Sequence, residues 1–164
     1  SDPGTLSYDL DQQIPVGSYT GIGFNFGFDA TDNITAAYPD LNVANWSWPM
    51  MLGGGYHNLQ FEGNFITSVS DTIGFGYHMG TAREIAGIDT TFHANHFLVQ
   101  LPNSGFTLSQ DATVEIQMDI SEWFNNPNTW DLNNYSAMLM PNYAAQRLMN
   151  ENGASVFKLG EITY

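Results

Sequence analysis

The chain contains no cysteine, and its basic side chains number three, Arg83, Arg147 and Lys158, against 17 acidic ones. Without thiols there are no thiolate metal sites, iron–sulfur clusters or disulfides. Without a basic surface there is nothing to neutralise a phosphate backbone, and a formal charge of −14 excludes nucleic-acid binding. A polybasic patch for anionic headgroups is excluded on the same ground. No Lys or Arg precedes Arg83, so calcium or another cation suits that half of the chain. No apolar run is long enough to span a membrane as a helix. The H-E-x-x-H, G-x-S-x-G and phosphate-cradling glycine motifs are also missing.

What is present is enough to fold. The 164 residues fit a single domain over 1–164, and 43% are hydrophobic and 14% aromatic. Abundant Asn, Gly, Thr, Tyr and Trp with few Lys and Arg reads as an extracytoplasmic composition. Ser1-Asp2-Pro3-Gly4 reads as the start of a mature or trimmed form.

Period-two patterning dominates. Ile22, Phe24, Phe26 and Phe28 alternate with Gly and Asn, which predicts a strand over 19–28. Further strands are expected over 58–65, 73–79, 92–101 and 112–120, the last with Val114, Ile116, Met118 and Ile120 on one face. The stretch 36–55 reads as a long ordered loop. Ser121 is the expected N-cap of a helical turn, and a short helix is expected over 143–150 with Leu148 and Met149 buried and Asn152-Gly153 as its stop. A last strand is expected over 156–159. The fold class is mostly β, an antiparallel β-sandwich with one or two short helices near the C-terminus.

The chemistry concentrates in Trp46-Ser47-Trp48-Pro49-Met50-Met51-Leu52-Gly53-Gly54-Gly55-Tyr56-His57 and in Gly76-Tyr77-His78-Met79-Gly80. Each histidine follows a tyrosine on an expected strand. If the strands are neighbours, the two imidazoles come within coordination reach. Imidazole suits copper, zinc, iron and nickel, and the thioether of Met79 biases the set toward copper. Met50 and Met51 are further soft donors. His93 and His96 have an odd spacing that sends them to opposite faces of a regular strand, so only one can join the pair. The alternative for all four is a structural or solvated histidine.

Trp46 and Trp48 read as core caps, as neighbours of a redox metal, or as a sugar-stacking platform, which keeps a glycan-binding module open. Glu62, Asp111, Glu115, Asp119 and Glu122 include possible carboxylate pairs for glycoside hydrolysis. Nothing in their spacing forces two together, and a solvated sheet face accounts for them better.

The run from Trp48 to His57 followed by Phe61-Glu62-Gly63 resembles the signature of the MbnP-like domain family. Gly74-Phe75-Gly76-Tyr77-His78-Met79-Gly80 is similar to that family's aromatic-His-apolar-Gly strand, and Met118-Asp119-Ile120-Ser121-Glu122-Trp123-Phe124 with Pro127 to its strand-to-helix corner. Asn152-Gly153 with Val156-Phe157 resembles its ending, and Ile14-Pro15-Val16-Gly17-Ser18-Tyr19-Thr20 its approach to a central strand. The branch resembled is the Bacteroidota type. Family members carry further strands before that approach, which this chain lacks.

The resemblance implies a secreted, outer-membrane-associated, periplasmic or cell-surface β-sandwich of a Gram-negative bacterium, and a non-enzymatic one. It implies copper as the bound metal, with His57 and His78 as first ligands; on the residues' own chemistry they are expected to be assisted by His93 or His96, with Met79, Met50 or Met51 nearby for the reduced metal. It implies that Trp48 is the tryptophan open to conversion to kynurenine by a partner di-haem MauG-type peroxidase. A TonB-dependent outer-membrane transporter is the other implied partner. The alternative is a non-catalytic interaction subunit of such a transporter assembly, in which the aromatic loop is buried against the partner.

Overall fold

A computed structural model describes residues 7–164. Among these residues ten strands pair in antiparallel couples, giving the antiparallel β-sandwich expected, with one α-helix near the C-terminus. In chain order they are β1 (Gly17–Tyr19), β2 (Gly23–Phe26), β3 (Leu59–Ile66), β4 (Thr72–Met79), β5 (Ala82–Ala86), β6 (Asp89–His93), β7 (Phe97–Gln100), β8 (Phe106–Leu108), β9 (Thr113–Met118) and β10 (Phe157–Thr163). β1 pairs with β8, β2 with β7, β3 with β4, β5 with β6 and β9 with β10. Two helices complete the set, α1 (Pro39–Val43) in the long loop and α2 (Tyr143–Gly153).

The expected 19–28 strand is interrupted: β1 ends at Tyr19 and β2 runs only to Phe26. Gly27 turns the chain away at φ 86°, and Phe28 stacks on Tyr38 with ring centroids 5.0 Å apart, away from the strand pairing. The expected strand over 92–101 is two strands, because its first residues belong to a hairpin with β5. That hairpin was not anticipated. Ala82-Arg83-Glu84-Ile85-Ala86 carries little β-branched or aromatic character, and its turn, closed by Gly87 at φ 66°, lacks an Asn-Gly or Asp-Gly signal.

The alternation over 112–120 is only half borne out. Val114 and Met118 face inward, whereas Ile116 and Ile120 are substantially exposed. Ile116 lies beside a register shift between Leu159 and Ile162 of β10. There the Glu115 carboxylate accepts the Glu161 backbone N–H at 3.1 Å, and a Cβ at Gly160 would run into that carboxylate. Ile120 already belongs to the helical turn Ile120–Phe124. The cap of that turn is Asp119, not Ser121: its carboxylate accepts the Ser121 backbone N–H at 3.1 Å and the Ser121 hydroxyl at 2.7 Å.

The core is Tyr77, Met79, Val99, Leu101, Trp123, Trp130, Met149, Val156 and their neighbours. Burying Trp123, Tyr77 and Met149 each removes enough apolar area to contribute roughly 2–3 kcal/mol. α2 closes the sandwich. Its first turn is capped by Asn142, whose side chain accepts the Ala145 N–H at 3.1 Å. The helix runs past the expected Asn150 and ends at Gly153, within the expected Asn152-Gly153 stop, and Leu148 is half-buried where Met149 is fully buried. Asn152 does not break the helix because its amide is employed elsewhere, donating to the carbonyls of Trp123 (2.8 Å) and Asn128 (2.9 Å). Gly153 is needed for space: a Cβ would meet the Phe97 and Trp123 rings.

Candidate metal site

The loop that carries His57 is built by its glycines. Gly53, Gly54 and Gly55 have φ of 113°, 67° and 82°, a run that side-chain-bearing residues avoid. They follow the helical turn Met50–Leu52 and return the chain so that Trp48 N–H bonds Gly55 C=O at 2.8 Å and Ser47 bridges Tyr56. Polar side chains from the preceding loop lock the return: Asn33 accepts the Tyr56 N–H at 2.8 Å and Thr35 the Gly55 N–H at 2.7 Å. The Tyr56 hydroxyl donates to Asn42 at 2.9 Å. The 36–55 stretch is therefore ordered, as expected, and includes α1.

His57 emerges from this return with 7% of its surface exposed. Its Nδ1 lies 2.9 Å from the Trp46 carbonyl. A carbonyl only accepts, so Nδ1 carries the proton and Nε2 carries the lone pair. That Nε2 is buried and has no hydrogen-bond partner. Burial holds the imidazole below the ordinary histidine range. The bond to Trp46 opposes that shift, nearby His78 reinforces it, and Glu62 opposes it. A neutral imidazole with a free buried lone pair is the form a metal requires.

β3 and β4 supply the rest. Their register sets His78 against Gln60 and Glu62 against Gly76, so Glu62 and His78 meet on the diagonal. His78 Nε2 and Glu62 Oε1 are 2.6 Å apart. The His57 and His78 rings meet edge to face with centroids 5.2 Å apart, and Trp48 meets His57 at 4.8 Å. The structure thus brings together His57, His78, Glu62 and Trp48.

The other expected ligands lie elsewhere. Met79 follows His78 directly and therefore points to the opposite face, where it is fully buried with Tyr77 in the core. It does not join the pair. His93 Nε2 is 2.8 Å from Glu84 Oε2 across the β5–β6 hairpin, and its ring packs on Tyr143. His93 ends β6, whereas His96 lies in the connection before β7, with buried Asn95 between them in the chain. Met50 and Met51 are exposed on the loop surface. Among the described residues no group of three or more His, Asp or Glu side chains is arranged to hold an ion. The donor set is therefore two imidazoles, one of them free on Nε2, with a carboxylate hydrogen-bonded to the other.

Trp48 is 1% exposed, donates its Nε1–H to the Leu52 carbonyl at 3.2 Å, and lies flat enough on Gly80 that a Cβ there would run into the indole. An inward-packed Trp48 overturns the sugar-platform expectation, which needs both indoles exposed and coplanar. Three of the carboxylates considered for hydrolysis have other partners. Glu62 sits mid-strand on His78, Asp119 caps a turn, and Glu115 fills the β10 irregularity.

One residue of the site had no functional reading in the sequence. Gln146 of α2 is fully buried and clasps β4 on both sides of Met79: its Nε2–H donates to the His78 carbonyl at 2.8 Å and its Oε1 accepts the Gly80 N–H at 3.1 Å. It also donates to Leu139 C=O at 3.2 Å. The available signal was a polar residue inside the stripe Ala145, Gln146, Met149, Asn152 and Gly153, all of which are buried.

No helix among the described residues is long and apolar enough to cross a membrane. No curated protein and no solved structure matches the chain. The family model MbnP matches residues 2–141. That span contains the glycine return, both histidines of the pair, Glu62 and Trp48, and the chain belongs to the MbnP family.

Proposed function

We propose that this protein binds copper as cargo, at the His57–His78 pair, and works as a non-enzymatic accessory of metal handling outside the cytoplasm. The observation that carries the reading is the buried Nε2 lone pair of His57, unpartnered and beside a second imidazole. An acceptor left bare in a protein interior is costly, on the order of 1–3 kcal/mol, and calls for an occupant. Two imidazoles without a third clustered His, Asp or Glu suit monovalent copper, which accepts low coordination, better than zinc, which takes four ligands in closed sites.

His57 Nε2 and His78 would hold the ion. Glu62 fixes the His78 ring, as carboxylates fix metal-binding imidazoles elsewhere. Trp48, edge-on to His57, is the indole whose oxidation would place a new donor beside the pair. Membership in the MbnP family supports this reading. The resemblance further suggests a di-haem MauG-type peroxidase as the oxidant of Trp48 and a TonB-dependent outer-membrane transporter as a partner. The interaction-subunit alternative requires the aromatic loop to be free for a partner and the two histidines to be far apart. Trp48 and Tyr56 are instead buried in this chain, and the two rings are in contact.

Copper-edge X-ray absorption of the apo protein loaded with one equivalent of Cu(I) without oxygen tests the assignment. Scattering from two imidazoles is expected in the parent, with one lost in His57→Ala. A spectrum unaltered by His57→Ala would place the metal elsewhere.

A further inference from the structure

On the face of the β3–β4 hairpin turned away from the core, β3 carries Gln60, Glu62 and Asn64, paired with His78, Gly76 and Gly74 of β4. Along β4 the inward residues are Phe75, Tyr77 and Met79, and the outward ones are Gly74, Gly76 and His78. The two glycines leave a strip of β4 without side chains that ends at the His78 imidazole. Segment 136–141 forms the opposite wall, held by the bond from Gly76 N–H to Ser136 C=O at 3.1 Å and by the clasp of Gln146 on Leu139. Between them is an open cavity of about 780 Å³, lined by Glu62, His78, Met138 and Met140 among others.

Met138 has no packing reason to be where it is. It is 79% exposed, and its backbone is held at φ 56°, a left-handed conformation that a side chain such as methionine rarely adopts. Such strain costs on the order of 1–3 kcal/mol, persists only when the surroundings enforce it, and clusters at functional sites. The next residue, Leu139, is buried and its carbonyl accepts the Gln146 side chain at 3.2 Å. Met140, two residues on, lines the same cavity. A flexible polarizable thioether is a soft donor that selects monovalent copper over hard cations. The carboxylate of Glu62 adds negative charge to the same groove.

We propose that Met138 and Met140, together with His78, form a thioether docking site for a soft monovalent ion, Cu(I), in the groove that His78 lines. The proposal rests on the copper reading above for the identity of the ion, but the thioether site itself is separately testable. Met50 and Met51, 70% and 73% exposed, do not line the groove and serve as internal controls.

The experiment uses the full chain with methionine methyls labelled by ¹³C, titrated with silver(I) as a redox-silent stand-in and then with Cu(I) without oxygen. The methyls of Met138 and Met140 should shift and saturate by the second equivalent while those of Met50 and Met51 stay put. The same shifts should persist in His57→Ala, which separates this site from the histidine-pair assignment. Met138→Leu with Met140→Leu conserves volume, so the fold is retained, and silver(I) binding should weaken by roughly tenfold or more. Equal shifts at Met50 and Met51, no shift at Met138 or Met140, or undiminished binding in the double variant would each overturn the proposal.

Discussion

His57 is the residue on which the account turns, because its environment makes a stability statement as well as a binding one. Burial keeps its imidazole neutral below the ordinary histidine range. Above about pH 6.5 both folded and unfolded chains carry it neutral, and its contribution to stability is fully present. As pH falls below that value the unfolded chain takes up a proton that the folded one refuses, and stability is lost down to the folded pKa. Urea unfolding between about pH 7 and 5 should therefore show a steeper loss in the parent than in His57→Gln. Parallel curves would mean that His57 is not held neutral.

Glu62 is the second residue-scale test. Glu62→Gln keeps the shape but removes the charge that fixes His78, so copper affinity should fall by about 10- to 100-fold without loss of fold. Trp48 is the third. If it is oxidised to kynurenine in its native host, the intact mass rises by about 4 Da, and a peptide map places the change at Trp48 and not at Trp46.

At the scale of elements, α2 is tied to β4 by one side chain. Gln146→Leu would fill the space but strip the His78 carbonyl, the Gly80 amide and the Leu139 carbonyl of their partner. A loss on the order of 3 kcal/mol is expected in urea unfolding. Copper affinity should fall with it, because His78 loses its backbone anchor. Asp119 makes a smaller prediction. Hydrogen bonds from the Ser121 hydroxyl and amide hold its carboxyl below the usual range, so its capping contribution is present at neutral pH and disappears as pH falls through the folded value. An NMR pH titration of the Asp119 carboxyl resonance reads this directly.

Elements also show what a single sequence makes legible. β3 and β4 were readable to within a residue or so because Phe61 and Phe65, and then Phe75, Tyr77 and Met79, alternate with polar or glycine positions. The proximity of His57 and His78 was readable as a consequence of that pairing. The β5–β6 hairpin was not readable, since pairing with a neighbour, not local propensity, makes Ala82-Arg83-Glu84-Ile85-Ala86 a strand. Met79 is a ligand by chemical softness alone, and strand alternation beside His78 turns it into the core instead. Asp119 displaced Ser121 as cap because the turn starts one residue earlier, at Ile120. Gln146 was invisible as a site residue because its role lies in what it touches across the fold, which no local pattern records.

For the whole molecule, a charge of −14 on 164 residues works in two directions. It disfavours the compact state by self-repulsion, and it keeps the many edges of two-stranded couples from pairing between copies. Added salt should raise the unfolding temperature while promoting association, seen as a rising light-scattering signal. The same field draws cations toward a groove that already holds Glu62 and His78.

The central claim is that His57 and His78 together make a copper site. The most direct test is a competition titration of Cu(I) against a chromophoric chelator, without oxygen, on the parent and on the His57→Ala/His78→Ala double variant. The parent is expected to withdraw one equivalent from the chelator, and the double variant to bind at least about 100-fold more weakly, near 2.7 kcal/mol by affinity arithmetic. Equal affinity in the two proteins, with the double variant folded, would contradict the account.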